Sequence, residues 1–199
     1  MRTLLEISRE LAALAQAGSA YTKDPFDAER FARLREIAGE LLQVSSPVAD
    51  FAWPAELGYA TPKVDVRAVV FRGDEVLLVR EASSGLWTLP GGWADVNLSP
   101  AENVEKECRE ESGYEVKARA ITAVLDRDRA GYPRNAHAIY KIFILCDLLG
   151  GEARTSIEST AVAFFPVTDL PGLDPHRATA GDIRQAWEFA QAPGPIVFN

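Results

Sequence analysis

Two glutamates in the middle of the chain have a spacing that suits a shared metal ion. Residues 99–113 hold five glutamates, and most have a basic residue three or four positions away, as in ordinary ion pairs on a helix surface. These ordinary pairs are Glu102 with Lys106, Glu105 with Arg109, and Glu110 with Lys106. Glu107 and Glu111 have no base at those spacings. A divalent cation would offset their repulsion, and oxygen ligands favour magnesium or manganese over zinc.

The same segment carries the signals of a helix. Ser99 suits the N-cap, Glu102 completes a capping box three residues later, and Gly113 suits the C-terminal stop. At about 100° per residue, Val104 and Cys108 form the inward stripe. The glutamates on the flank beside this stripe are Glu107, Glu110 and Glu111. The predicted helix therefore presents carboxylates at the edge of its buried face.

A proline and two glycines precede this helix. Pro90, Gly91 and Gly92 allow a sharp turn and a close approach of the backbone to a ligand. The turn also delivers a backbone carbonyl near the helix start. Glycine pairs are common in loops, so this one is informative only in combination with the glutamate helix.

The composition restricts the chemistry further. The chain has 199 residues, and its 21 basic and 29 acidic side chains give a net charge of −8. Two cysteines and two histidines, none at ligand spacing, exclude a zinc site. The acidic balance argues against duplex nucleic acid as a partner, and the apolar runs are far shorter than the roughly 18 residues of a membrane span. We therefore expect a cytoplasmic protein, with carboxylates as the ligands of any metal.

Two amphipathic helices are predicted at the start of the chain. The apolar stripe of the first consists of Leu4, Ile7, Leu11 and Leu14. The second begins at Asp24 as N-cap, with Pro25 in its first turn. Its apolar stripe consists of Phe31, Leu34, Ile37 and Leu41. Two helices cannot bury these stripes alone, so they must pack on the rest of the chain or on a second subunit.

The remaining chain predicts a mixed sheet covered by helices. The Ser-, Pro- and Gly-containing stretch 45–62 predicts a linker with aromatic residues, Phe51 among them, that dock. The predicted strands cover 64–71, 75–80, 86–89, 118–125, 138–145 and 161–167, and a closing helix covers 179–190. The first two strands form a hairpin. Because the helices do not alternate regularly with the strands, the fold class is α/β of the α+β kind.

With these elements in place, the sequence resembles the Nudix hydrolases. The signature of that family is a glycine, five residues, a glutamate, seven residues, and then Arg-Glu-apolar-any-Glu-Glu-any-Gly-apolar. Gly92 begins the matching segment and residues 106–114 end it at the same spacing. Two positions depart from the signature. Leu98 stands where the family has its first glutamate, and Lys106 stands where it has an arginine, whose planar forked contact a lysine cannot make.

The resemblance covers nearly the whole chain and is strongest to the branch that contains the CDP-choline pyrophosphatases. The segments that carry it are the helical N-terminal extension and residues 58–67, 89–96 and 140–143. It implies a helical extension with linker over 1–60 and a Nudix domain over 61–199, built as an α/β/α sandwich. It also implies hydrolysis, with Mg²⁺ or Mn²⁺, of the pyrophosphate bond of a nucleoside diphosphate linked to a moiety X. CDP-choline is favoured over ADP-ribose as the nucleotide substrate.

Two other functions and one assembly state accompany this interpretation. Leu98 and Ala161 would suit a non-catalytic Nudix module that binds a nucleotide, since the related branch commonly has glutamates at both positions. Hydrolysis of RNA ends would need a local basic strip. The apolar stripes of the small helical extension predict a homodimer.

The resemblance also implies roles for individual side chains. The metal ligands it implies are Glu107, Glu111, Glu110 and the backbone carbonyl of Gly91, with Glu110 acting directly or through water. Glu158, on a loop before the last predicted strand, is the candidate general base, and Glu152 is the second candidate. A loop glutamate with no role beyond solvation is the alternative interpretation of Glu158.

Five further residues are candidates for contacts with the substrate. Arg67 and Lys63 share a strand face with Asp65 and could hold the phosphates or the base, with surface ion pairing as the alternative. Trp93 could stack on a nucleobase or pack against the protein. His137 could line the pocket or only begin a strand.

Overall fold

The computed structural model of the protein describes residues 2–45, 53, 56 and 58–199. Part of the predicted linker, including Phe51, lies outside the described residues. The chain forms two compact units, residues 1–62 with 134–138, and residues 63–133 with 139–199. In the described part of the chain, no helix has both the length and the apolar character needed to cross a membrane.

The helices and strands follow the sequence prediction closely. The helices are α1 (Leu4–Tyr21), α2 (Pro25–Ser45), α3 (Pro100–Ser112) and α4 (Ala180–Gln191). The strands are β1 (Lys63–Arg72), β2 (Glu75–Glu81), β3 (Trp87–Thr88), β4 (Tyr114–Asp126), β5 (Ile139–Gly151), β6 (Ser159–Pro166) and β7 (Val197–Phe198). Strands β4 and β5 are several residues longer than predicted because they pair with each other along their whole length. Strand β7 was not predicted.

In the helical unit, the prediction of the buried face of α1 was wrong. The predicted stripe includes Leu4 and Leu14, yet these side chains are 46% and 60% exposed. The residues of α1 that are buried instead are Leu5, Ser8, Ala12, Ala15 and Gln16. Small side chains let α1 approach α2 closely enough for the Ser8 hydroxyl to donate to the Ala38 carbonyl at 2.5 Å. Close helix packing therefore decided which face is buried, and two leucines remain exposed.

The second unit contains a mixed sheet with strand order β3-β2-β1-β5-β4-β7, and β6 pairs with β2. Strands β1 and β5 are parallel, whereas β1 and β2 form the predicted antiparallel hairpin. Helix α3 covers one face of the sheet, where Val104 and Cys108 join the buried residues of β1 and β5. Helix α4 covers the other face through Ile183 and Ala186. The three layers are those of the predicted α/β/α sandwich.

Candidate active site

Helix α3 is fixed at both ends by the predicted caps. The Ser99 hydroxyl accepts from the backbone N–H of Glu102, and the Glu102 carboxylate accepts from the N–H of Ser99 at 2.8 Å. Gly113 ends the helix in the left-handed region at φ 78°, a conformation that glycine adopts without strain. The register of the glutamates along α3 is thereby fixed.

Glu111 is the buried carboxylate of this helix, with 6% of the residue exposed. One of its oxygens accepts from the backbone N–H of Gly91 at 2.8 Å. Burial raises the pKa of Glu111 to about 7. The Gly91 hydrogen bond and the charge of Arg67 act to lower this pKa, but burial, with a smaller contribution from the negative charges of Glu107 and Glu81, outweighs them. Glu111 therefore carries a charge that its surroundings only partly compensate.

The glycine-rich loop is held against β1 by backbone hydrogen bonds. The N–H of Val66 donates to the Gly92 carbonyl at 2.9 Å, and that of Ala68 donates to the Pro90 carbonyl at 2.8 Å. Gly91 has φ 138°, and a Cβ atom there would collide with the Val66 carbonyl. Only glycine fits between the strand and the helix at this position. The tight turn predicted from the sequence thus aims a peptide N–H at Glu111.

Glu107 lies one turn before Glu111 and is largely buried. Burial raises its pKa, and the charges of Glu110 and Glu158 contribute in the same direction. The prediction that Glu107 has no basic partner was wrong, because Lys106 lies 3.3 Å from its carboxylate. Neighbours in sequence do not face each other on an ideal helix, so counting partners three and four residues away missed this contact.

Lys106 joins three carboxylates rather than serving one. Its Nζ lies 2.9 Å from Glu110 and 3.3 Å from Asp95, in addition to Glu107. The hydrogen bond with Glu110 is the main cause that raises the pKa of Lys106. In this chain a lysine, at the position where the family has arginine, ties the loop to the exposed side of α3.

Arg67 lies inside the protein, 2% exposed, so the alternative of surface ion pairing was wrong. Its guanidinium donates to Asp65 at 2.9 Å and to the carbonyl of Leu89 at 3.2 Å. Lys141 on β5 also donates to Asp65. Burial acts to raise the pKa of Asp65, but the two cations outweigh it and hold that pKa below its ordinary value. This network braces the strand on which the glycine-rich loop rests.

The candidate base Glu158 lies where β6 begins, beside the end of α3. The N–H of Ala82 donates to the Glu158 carbonyl at 2.8 Å. The next residue, Ser159, donates through its hydroxyl to the Glu111 carbonyl at 2.6 Å. Because the charge of Glu158 contributes to the raised pKa of Glu107, the fold brings this exposed glutamate into electrostatic contact with the metal-ligand candidates.

Glu81 is a buried acid that was not predicted from the sequence. It ends β2 at an irregularity in the pairing with β6, opposite Ser159. One of its oxygens accepts from Arg177 at 3.1 Å, and the other has no hydrogen-bond partner in the described part of the chain. The sequence signal for its burial was the alternation of a strand. Glu81 lies two residues after Val79 and therefore on the same side of β2, which is buried from Val76 to Val79.

The remaining substrate candidates lie in different places. Trp93 follows the glycine-rich loop and has an exposed indole. Its backbone forms an isolated antiparallel β-bridge with that of Asp65. Lys63 opens β1, opposite Ile139. His137 belongs to the helical unit, where its ring packs edge-on against Trp53, and β5 begins only at Ile139. Their contacts with a substrate remain predictions.

The donor atoms of the site fit a hard divalent cation. Within the described residues, no three His, Cys, Asp or Glu side chains converge closely enough to hold a metal by themselves. Mg²⁺ does not require such a cage, because it is commonly held by one or two carboxylates together with waters and substrate phosphates. Glu107 and Glu111, whose pKa values are raised, are the two carboxylates that would hold such an ion.

This glutamate helix between a glycine-rich loop and a mixed sheet defines the class of enzyme, and comparison with known proteins agrees. Residues 61–186 match the model of the NUDIX domain. Residues 2–49 match a second model, described as a UDP-X-like, N-terminal oligomerisation domain. The chain therefore belongs to the Nudix hydrolase family, with two N-terminal helices before the Nudix domain.

Relatives of known name resemble the chain over most of its length. A Bacillus subtilis (strain 168) protein, "Putative ADP-ribose pyrophosphatase YjhB", is 42% identical over 193 residues, which cover 95% of this chain and 93% of that protein. The crystal structure of a UDP-X diphosphatase matches with a TM-score of 0.66 and 32% identity over 98% of each chain. That of a Streptococcus suis 89-1591 ADP-ribose pyrophosphatase matches with a TM-score of 0.65 and 42% identity, over 70% of this chain and 100% of that one.

Proposed function

We propose that this enzyme hydrolyses the pyrophosphate bond of a nucleoside diphosphate linked to X, with ADP-ribose and UDP-linked compounds as the first candidates. The observation that carries the proposal is the buried, incompletely compensated carboxylate of Glu111 beside Glu107 on α3. The names of the relatives support ADP-ribose and UDP-X. CDP-choline, favoured from the sequence, is supported by the resemblance alone and becomes the third candidate.

We propose Mg²⁺ as the cofactor, held by Glu107 and Glu111. Glu110 would be an additional or water-mediated ligand, and the Gly91 carbonyl would complete the set. When bound, Mg²⁺ neutralises phosphate oxygens and helps to activate the attacking water. The carboxylates that would hold the ion are restrained by the protein itself. The Gly91 N–H fixes one oxygen of Glu111, and Lys106 restrains Glu107 and Glu110.

Glu158 is the proposed general base. One of its carboxylate oxygens would accept the proton of the water that attacks phosphorus. Support comes from the beginning of β6, where the contacts of Ala82 and Ser159 anchor the backbone of Glu158 beside α3. Glu152, at the other end of the same loop, is the second candidate.

The proposed substrate contacts divide into direct and indirect ones. The exposed indole of Trp93 would stack on the nucleobase, and Lys63 is a further direct candidate. Arg67 and Asp65 would act through the backbone, because their buried contacts hold the carbonyl of Leu89 just before the glycine-rich loop.

A product-release assay over a substrate panel tests the proposal. The panel holds ADP-ribose, UDP-glucose, CDP-choline and a 5′-triphosphorylated RNA, each with Mg²⁺ and with Mn²⁺. We expect turnover of at least one nucleoside diphosphate compound, loss of that turnover in Glu107→Gln, and near-normal turnover in Glu102→Gln, an exposed capping residue of the same helix. If no compound turns over while calorimetry shows tight nucleotide binding, the protein is a binding module and the proposal fails.

We further propose a homodimer formed through the helical unit. Leu4 and Leu14 are exposed apolar residues on α1, and the matching family model describes residues 2–49 as an oligomerisation domain. Light scattering should give about twice the 21.7 kDa mass of the chain. A mass of one chain at micromolar concentration would contradict this assembly.

A further inference from the structure

We propose that Arg177 binds a phosphate of the substrate and that buried Glu81 is the positioning residue that holds it. This inference rests on the proposed function and names an additional cation of the same site. The two side chains form an ion pair at 3.1 Å between Arg177 Nη2 and a Glu81 oxygen. Glu81 is 5% exposed, whereas the side chain of Arg177 is 36% exposed.

The position of Glu81 places this pair beside the glutamate helix. Glu81 lies opposite Ser159 in the pairing of β2 with β6, and the Ser159 hydroxyl binds the Glu111 carbonyl. The residue that follows β2, Ala82, donates through its N–H to the carbonyl of Glu158. An irregular strand pairing redirects a side chain, and such irregularities are common next to active sites. Glu81 thus contacts the neighbours of both the metal-ligand and general-base candidates.

The segment that carries Arg177 is held in place by the backbone. The N–H of Trp87 donates to the Gly172 carbonyl at 3.0 Å, and that of Asp174 donates to the Trp87 carbonyl at 2.8 Å. The N–H of Arg177 then donates to the Asp174 carbonyl at 3.0 Å. Strand β3 therefore fixes this segment, and Arg177 reaches Glu81 from a defined position.

Two other cations near the glutamates are already engaged. Arg67 is fully buried and is bound to Asp65 and Leu89. Lys106 is shared among three carboxylates. In the described part of the chain, one nitrogen of Arg177 binds Glu81, and no hydrogen bond of its other guanidinium nitrogens is found. A guanidinium has five donors in a planar fork that fits phosphate oxygens. Arg177 therefore combines partial exposure, free donors and a fixed anchor.

Kinetics with the best substrate of the panel test this assignment. Arg177→Gln should raise KM at least tenfold with kcat changed less than threefold, because a contact present in both the ground and the transition state affects binding alone. Glu81→Gln should raise KM less, since the amide oxygen still accepts from Arg177. The double variant should match Arg177→Gln, because Glu81 acts through Arg177. Arg184→Gln, an exposed arginine on α4, serves as the control with unchanged kinetics.

A binding measurement separates recognition from folding. Inorganic pyrophosphate, titrated by calorimetry into the metal-free protein, should bind at least tenfold more weakly to Arg177→Gln than to the wild type. If Arg177→Gln fails to fold because Glu81 is left unpaired, the neutral double variant carries the test. If KM and pyrophosphate affinity are unchanged in the double variant, the inference is overturned. It is also overturned if the double variant has a clearly higher KM than Arg177→Gln alone. If the wild type turns over a substrate, the proposed function stands whether or not Arg177 binds phosphate. If the wild type turns over no substrate, the proposed function is refuted.

Discussion

The Nudix domain contains two buried groups of charged residues that differ in how they are neutralised. The first, on β1 and β5, consists of Asp65, Arg67 and Lys141, and the carboxylate contacts both cations. The second, around α3, contains Glu111 together with Glu107 and Glu81, whose negative charges both act to raise the pKa of Glu111. The pKa of Asp65 is lowered and that of Glu111 is raised. The carboxylate of the first group is therefore neutralised within the chain, while the charge of Glu111 in the second group is compensated only in part.

The same chemical change should have opposite consequences in the two groups. Replacing a carboxylate by an amide removes a needed charge at Asp65 in the first group and an incompletely compensated charge at Glu111 in the second. A substitution in the first group should therefore lower the free energy of unfolding, whereas one at Glu111 should lower turnover without loss of stability.

The largest effect is expected from Glu111→Gln on turnover. Loss of this proposed metal ligand should lower kcat at least a thousandfold, or about 4 kcal/mol or more in activation free energy. The free energy of unfolding should stay the same or rise, because a desolvated charge is removed. Urea unfolding and product release on the same preparation would check both. A variant that is inactive and also clearly destabilised would contradict the contrast between the two groups.

Asp65→Asn should instead destabilise the fold. It leaves Arg67 and Lys141 as buried like charges, and breaking a buried pair in this way costs about 3–5 kcal/mol. We expect about 3–4 kcal/mol, because Lys141 can lose its proton. Urea unfolding measures this loss, with Asp147→Asn as the control at an exposed pair with Arg119. A loss as small as that of the control, below about 1 kcal/mol, would show that the network is not needed.

The stability that the first group contributes should also depend on pH. Burial and the charge of Arg67 lower the pKa of Lys141 to about 8, whereas the unfolded chain keeps that proton to about pH 10.5. The unfolded state then binds more protons between these values, so stability contributed at this site rises with pH, by up to about 3 kcal/mol. The free energy of unfolding of the wild type should therefore increase relative to Lys141→Met from pH 8 to 10. Parallel curves would contradict a lowered pKa.

The smallest effect is expected at Glu158, an exposed glutamate beside the second group. Glu158→Gln should lower kcat at least a hundredfold, about 2.7 kcal/mol in activation free energy, without loss of stability, because this side chain is exposed. Glu115→Gln, another exposed glutamate, is the control. Near-normal turnover in Glu158→Gln would remove this residue from the mechanism and direct attention to Glu152.

Local signals were sufficient for the central helix and for most of the other elements, although they missed β7 and the full length of β4 and β5. The caps at Ser99 and Gly113 fixed the limits of α3, and the partner count singled out Glu107 and Glu111. Both depend on residues close in sequence, where helix geometry is known in advance. The same reasoning failed for Lys106, whose side chain bends toward its immediate neighbour.

Contacts between distant segments were not accessible in the same way. Surface ion pairing stood as an alternative for Arg67 because the sequence does not show that both faces of β1 are covered, one by α3 and one by α4. The exposure of Leu4 and Leu14 depends on how closely α1 approaches α2. The pairing of Glu81 with Arg177 joins residues 96 positions apart, and only the fold can bring them together.

The contact between Gly91 and Glu111 has a practical consequence for experiments. The group that fixes the carboxylate is a peptide N–H, so side-chain scanning leaves it in place and would assign it no contribution. Substitution of Gly91 would instead displace the chain and confound the result. Semisynthesis that replaces this single amide by an ester would delete the donor and keep the backbone path, and so would isolate what the main chain itself contributes to catalysis.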